Sequence, residues 1–398
     1  MNANMEAQIN LSIKTQWGNV VTLWVIGIFA AMQFAKFSIA YDSLLAMYHV
    51  KPTLIGFSVS SVGVVGLLFG AAAGVVFNTL SYRSVLITSL IIGAGTSLIQ
   101  SMTPNFSIIL ISRFIEGLSQ LGIVVAAPTL MLKTSEPRHH ALVMGLWGTF
   151  FGVAFTVAGG LGNHILKTQG FNTLCLLHAA LAVPLLLYCY FFIADKPPGG
   201  KVPKALSAAN LLKATIQVYK SPRTSLPGWV FMFHTSMYVA LLTFVPRMAP
   251  NESIMNFLFI ILPVSSMSGT FLSGILSQWV LKPPSLLMFA YLGILVTTVL
   301  AVMLQSYGYL FAGAAILLLL IAGTVQGSVF TLIPYLSRHE SDQAMGNGSI
   351  AQFGNLGATI GPPMFAFSID LFAQSGLLIL IGGLSIAGCC VSVIARRI

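Results

Sequence analysis

Twelve apolar runs, each of twenty or more residues, follow one another along this chain with mostly short turns between them. A bilayer offers no water to hydrogen-bond a bare backbone, so a run of about 20 apolar residues crosses it as a helix. Read between turn signals, the runs are residues 20–42, 54–78, 84–103, 107–131, 141–164, 171–194, 226–248, 254–280, 285–306, 308–336, 345–370 and 374–395. They are too long and too continuous for the roughly 10-residue alternating strands of an outer-membrane barrel. Charge content agrees, since 7% of the 398 residues are charged and 56% are hydrophobic, against about a quarter charged in soluble domains. The expectation is an all-α membrane protein with twelve transmembrane helices. No cationic n-region or small-residue cleavage site precedes the first run, which is therefore expected to act as its own insertion signal.

The net charge of +10 would suit a nucleic-acid partner if it were gathered in one patch, but the basic residues sort by loop instead. With both termini in the cytoplasm, fourteen of the nineteen Lys and Arg residues, among them Lys14, Arg83, Lys133, Arg138, Lys204 and Arg397, face inward. Only Lys51, Lys167 and Arg247 face outward, while Lys36 and Arg113 lie within the membrane. This is the positive-inside pattern. It assigns a multi-pass protein of a bacterial inner membrane, with the lipid bilayer rather than nucleic acid as its surroundings. Cys175, Cys189, Cys389 and Cys390 all fall in apolar runs without metal-ligand spacing, so no metal site is read from them.

One long polar segment divides six runs from six, which sets an N-terminal half at 1–194, a cytoplasmic linker at 195–225 and a C-terminal half at 226–398. Within it, residues 206–219 can be drawn either as a short amphipathic helix on the inner membrane surface or as plain connector. The halves echo each other. Gly117, Gln120 and Pro128 recur as Gly323, Gln326 and Pro334 at a shift of 206, and Gly74 and Leu86 recur as Gly274 and Leu286 at a shift of 200. Met144 and Gly145 recur as Met345 and Gly346. A repeat of half the chain length indicates two similar halves.

Arg113 and Glu116 interrupt an apolar run, where ionisable groups are expensive. Three residues apart on a helix they share a face, so each offsets part of the other's desolvation cost, and the pair must face protein or a wet cavity. Arg113, Glu116 and Gly117 match the Arg-x-x-(Gln/Glu)-Gly of the fourth helix of the major facilitator superfamily, which the chain resembles along essentially its whole length. Gly74 and Arg83 keep two positions of that family's signature after the second helix, with Asn78 where the family carries Asp. Gly354, Gly357, Gly361, Pro362 and Asp370 are similar to the eleventh helix of several organic-anion and cyanate-type permeases. Phe155 and Thr156 stand where the family's antiporting drug exporters carry Gly-Pro ahead of Gly159 and Gly160. The resemblance implies two pseudo-symmetric six-helix halves, a monomer without cofactor, and a secondary transporter rather than an enzyme. Solute would bind near the bilayer midplane, between halves that rock around it.

Candidate site residues follow from depth and polarity. Gln33 and Lys36 share a face of the first run, at about the depth of Arg113 and Glu116. Two cations and one anion there leave a positive spot that suits an anionic solute; alternatively, Lys36 snorkels outward or pairs with Glu116 structurally. Glu116, beside Arg113, is the proton-coupling candidate, because a carboxylate is costly to ionise in low dielectric while a neighbouring cation favours the ion. His178 and His234 lie about two turns inside their helices and serve either as buried hydrogen-bonded residues or as proton carriers, and His178 is counted with Lys36, Gln33 and Arg113 among the solute-binding candidates. Tyr238, Gln326, Gln352 and Asn355 offer neutral groups for solute or for helix contacts. Asp42 and Arg247, related by a shift of 205, either close an outer gate or remain solvated, and Gly74, Asn78 and Arg83 are the inner gating candidates. The reading is a proton-coupled symporter of a small organic anion. The alternative is an exporter of siderophores, drugs or amphipathic metabolites by proton antiport, for which sixteen Met and twenty-seven Phe could build an adaptable apolar cavity.

Overall fold

The computed structural model describes residues 14–77, 80–194, 219–336 and 340–398, and the linker helix drawn over 206–219 lies outside them except for Tyr219. The chain starts with α1 (Trp17–Ile39), turns at Ala40, and lays the short α2 (Tyr41–Tyr48) across the far end. The second span is broken into α3 (Pro52–Ser60) and α4 (Val62–Phe77), bent by 51°. Next come α5 (Tyr82–Ser101), whose N-terminal Ser81 accepts from the Ser84 amide, and α6 (Phe106–Lys133), capped by Asn105. α7 (His140–Gly148) and α8 (Phe150–Val157) lead through a π turn at Ala158–Gly162 into α9 (Asn163–Phe192). That rod folds back at Gly170, whose φ of 86° suits a residue without a Cβ.

The second half consists of α10 (Pro222–Phe244), α11 (Glu252–Trp279), α12 (Pro283–Met303), α13 (Gly308–Leu336), α14 (Glu340–Phe372) and α15 (Gln374–Arg397). Among the described residues eight helices are long and apolar enough to cross a membrane, or nine with the bent α3–α4 pair counted as one span. One of the eight, Leu142–Phe192, is the segment that reverses at Gly170 and so supplies two rods. With α10 and α14, which are long enough but more polar, every predicted run has a helical counterpart.

Alternating direction puts the starts of α1 and α10 and the end of α15 on one side, called here the terminal face. α2 and the α10–α11 turn mark the opposite face. In the first half α5 packs on α6 and α9, and α1 lies against α6 and α8; in the second, α13 packs on α11 and α12, and α14 on α10. The halves meet along two seams, α14 against α3–α4 and α11 against α8. One apolar core runs through both halves toward the opposite face, including Phe37, Phe171, Phe244 and Leu258, whereas a second core from Val20 to Ile193 belongs to the first half alone. The interior is therefore continuous near one face and divided near the other.

Candidate functional site

Four helices of the first half converge on Glu116. α6 carries it one turn after Arg113, and both are fully buried. Its Oε1 accepts from Lys36 Nζ of α1 at 2.6 Å, and its Oε2 from Arg113 Nη1 and, at 3.0 Å, from Gln100 Nε2 of α5. Lys36 Nζ also donates to Ser97 Oγ at 2.7 Å and lies 3.4 Å from His178 Nδ1 of α9. His178 is held in turn by Ser97 at 2.7 Å and by the Phe29 carbonyl at 3.0 Å, with its ring stacked on Phe29. Gln33 donates to Ser119 at 2.9 Å, one turn below the cluster on α6. The arrangement meets the requirement that a buried ion pair be completed by further hydrogen bonds.

Arg113 reaches further than its carboxylate. Its Nε donates to the Ser58 carbonyl at 2.7 Å and its Nη2 to the Val59 carbonyl at 2.9 Å, while the Phe37 ring covers the guanidinium at 4.2 Å. These carbonyls lie in the last turn of α3, where the break at Ser61 leaves acceptors without helical donors. Arg113 thus ties Glu116 to the bend of the second span. From there Ser60 Oγ donates to the Thr359 carbonyl of α14 at 2.7 Å, and Gly56 lies against Pro362. A change of charge at Glu116 is in this way two contacts from the seam between the halves.

The cavity between the halves is elsewhere. It encloses about 600 Å³, is lined by Met144, Trp147, Thr149 and Phe151 of α7 and α8 and their junction, Tyr238 of α10, Ser266, Met267, Thr270 and Phe271 of α11, Gln326 and Phe330 of α13, and Asn347 of α14. Apart from Tyr238, which lies past the middle of α10, these positions sit at mid-helix or nearer the terminal-face ends, so the cavity opens on that side. Its size is within the ~300–1,000 Å³ of small-molecule sites. Among the described residues no charged side chain lines it.

The opposite face is closed by contacts across the halves. Arg247 Nε meets Asp42 at 2.6 Å, and its Nη2 caps the last carbonyls of α1, Ser38 and Ile39, at 3.0 and 3.1 Å. Ser38 and Thr243 hydroxyls bond at 2.7 Å, Asn163 donates to Asn256 at 2.8 Å, and Lys167 pairs with Glu252. Tyr41, Asp42, Arg247, Gln305 and Asp370 border a second cavity of about 450 Å³ there.

The structure thus brings Lys36, Arg113, Glu116 and His178 together, with Gln33 beside them, and puts Tyr238 and Gln326 on the cavity wall. It does not bring the two groups to one place, and Lys36 takes the pairing with Glu116 rather than facing the cavity. His234 is buried behind Gln326. Gln352 accepts from Tyr219 at 2.5 Å, and Asn355 donates to the Ala351 carbonyl and lies against Gly66; neither borders the cavity. Gly74 is in α4, Asn78 lies outside the described residues, and Arg83 donates to the Tyr190 carbonyl of its own half at 2.5 Å. Sequence reasoning missed Ser97 and Gln100, although two polar residues three apart in an apolar run are a usable signal. It also missed Trp147, Ser266 and Asn347, for which spacing carries none.

Comparison with known proteins gives a consistent result. The family model of the Major Facilitator Superfamily matches residues 23–362. Among curated relatives, the chain is 27% identical over half its length to the MFS-type transporter YfiU and 23% identical over 63% of its length to the MFS-type transporter YybF, both of Bacillus subtilis (strain 168). It is 23% identical over 48% of its length to the niacin transporter NiaP of Acinetobacter baylyi. The matches span 38%, 65% and 43% of those proteins. A solved structure of a bacterial homologue of the human lysosomal transporter Spinster, inward-facing and unoccupied, superposes with a TM-score of 0.75 over 95% of this chain and 96% of that one, at 13% identity.

Proposed function

Because the chain belongs to the Major Facilitator Superfamily, we propose that it moves a small organic solute across the bacterial inner membrane by alternating access, coupled to protons. The observation that carries this reading is the asymmetry of the two faces. A cavity of about 600 Å³ opens between the halves on the terminal face, while the Asp42–Arg247 pair and its neighbours bind the halves together on the other. The positive-inside distribution supports a cytoplasmic terminal face, and on that reading this is the inward-open member of an alternating pair. Reaching the outward-open member requires Arg247 to leave both Asp42 and the last turn of α1. A relative named as a niacin transporter supports cargo in the class of small organic molecules.

Glu116 is the coupling group in this reading. Ionised, it holds Lys36 and Arg113; protonated, it gives up the attraction of both, and Arg113 is released to loosen its hold on the α3 bend. Since α3 packs on α14 of the other half, proton uptake reaches the seam that must open. Lys36 and Arg113 act here as Glu116's partners in the inward-open form. The test is uptake by the purified protein in proteoliposomes, using a solute found by its stabilisation of the folded protein. Glu116→Gln is expected to retain exchange of solute at equilibrium while losing accumulation driven by a pH gradient. Accumulation at the native level in Glu116→Gln would remove Glu116 from coupling, and absence of uptake for every solute that binds would remove the transport reading.

A further inference from the structure

The cavity joins flat apolar faces to neutral polar groups, with Thr149 of the first half and Met267, Phe271 and Phe330 of the second also on its walls, and the inference drawn from it rests on that cavity being the solute site. From the first half come flat apolar faces. Trp147 stacks on Phe150 at 4.5 Å, and Phe151 stacks on Phe155 at 5.0 Å and tilts toward Tyr238 across the gap at 6.0 Å. From the second half come the neutral polar ends of Tyr238, Ser266 and Gln326, on three different helices. The polar wall is incomplete. Ser266 lines the cavity, while its Oγ is buried and without a formed hydrogen bond. Behind it the His234 ring, also buried, faces the Gln326 side chain and leaves its Nδ1 without a partner. Buried polar atoms are costly when unmet, so this corner is completed by something that hydrogen-bonds.

What enters must also match the charge of the walls. Among the described residues the lining holds no cation, since Lys36 and Arg113 are turned to Glu116, and no carboxylate, so an anion or a cation would leave its hydration without a partner there. A flat ring loses little by leaving water for aromatic walls and gains their stacking. We propose that the cavity selects an uncharged planar aromatic solute with one hydrogen-bonding edge, such as a carboxamide. Its ring lies on Trp147 and Phe151, and its edge is read by Tyr238, Ser266 and Gln326. His234 is a positioning residue that orients the Gln326 amide.

The experiment compares matched pairs that exchange a neutral carboxamide for a carboxylate on the same ring: nicotinamide with nicotinate, benzamide with benzoate, and 2-naphthamide with 2-naphthoate. Each is titrated at neutral pH into the full-length protein in detergent, and binding is read by equilibrium dialysis. At least one amide is expected to bind about tenfold more tightly than its carboxylate, the ratio that a single net hydrogen bond sets. Ser266→Ala and Gln326→Leu should each shrink that ratio. His234→Phe should weaken amide binding and His234→Asn recover part of it, with unliganded melting alike in the two variants. Equal or tighter carboxylate binding, no binding by any member, or an unchanged ratio in Ser266→Ala and Gln326→Leu overturns the proposal. Amide-selective binding without uptake in vesicles leaves the site standing and removes the transport reading, whereas uptake without amide preference removes the solute class alone.

Discussion

Glu116 accepts from two cations and an amide, and the value of that arrangement is clearest beside its repeat. The shift of 206 puts Leu319 and Ala322 at the places of Arg113 and Glu116, and the shift of 205 puts Leu241 at that of Lys36; all three are buried. The same packing therefore works without charge. Replacing a buried ion cluster by apolar residues is often neutral for stability, whereas removing one partner costs about 3–5 kcal/mol. Glu116→Ala, which strands two buried cations, is expected to melt well below the wild type. The triple change of Lys36→Leu, Arg113→Leu and Glu116→Ala copies the second half and should melt above Glu116→Ala alone, at the expense of the proposed pH-driven transport. A triple variant less stable than Glu116→Ala would show that the cluster holds the fold together. Lys36→Met should cost less than Arg113→Met, because Arg113 also satisfies the Ser58 and Val59 carbonyls. Thermal melting in detergent orders the two. The Arg113–Glu116 pairing was legible from their spacing, but the partnership with Lys36 was one of three alternatives. Choosing among them needs the rotation of α1 against α6, which no local pattern contains.

At the scale of elements, the repeat reports packing. An added Cβ at Gly117 of α6 would meet the Val62 carbonyl of α4 at 2.6 Å, and one at Gly323 of α13 would meet the Ser266 carbonyl of α11. The two glycines thus do the same job in the two halves, letting a central helix touch its neighbour's backbone. Gly145, also repeated, borders the cavity with open space around it. Gly117→Val and Gly323→Val are expected to lower stability by about 1–3 kcal/mol each through overpacking, while Gly145→Ala leaves it unchanged. Denaturant or thermal unfolding in detergent checks all three, and equal effects at Gly117 and Gly145 would break the assignment. Span positions were readable because hydropathy is a local property. The breaks were not: the run 20–42 stops at Ile39, the run 54–78 bends at Ser61, and the helix drawn to 164 continues to the reversal at Gly170. Each break depends on what the helix packs against, so a continuous apolar run does not announce it.

For the whole molecule, the decisive feature is that the halves are joined near one face and parted near the other. Arg247→Ala removes the pairing with Asp42 and the cap on α1 together. It is expected to shift the population toward the outward-open form, raising the labelling rate of a cysteine placed at Leu45, which borders the opposite-face cavity. An unchanged rate would mean that the remaining contacts, such as Ser38 with Thr243, suffice to hold that face shut. The sequence by itself determined an all-helical membrane protein, its repeat and its loop-charge asymmetry, because hydropathy, periodicity and charge are written along the chain. Only the tertiary structure decided which polar residues meet. Gln352 and Asn355 look as suitable as Ser266 and Asn347 in one dimension, yet only the latter pair border the cavity. Lys36 looks like a solute ligand until Glu116 is seen 2.6 Å away. The reason is geometric: what a residue faces depends on the tilt and rotation of a whole helix against neighbours from distant parts of the chain.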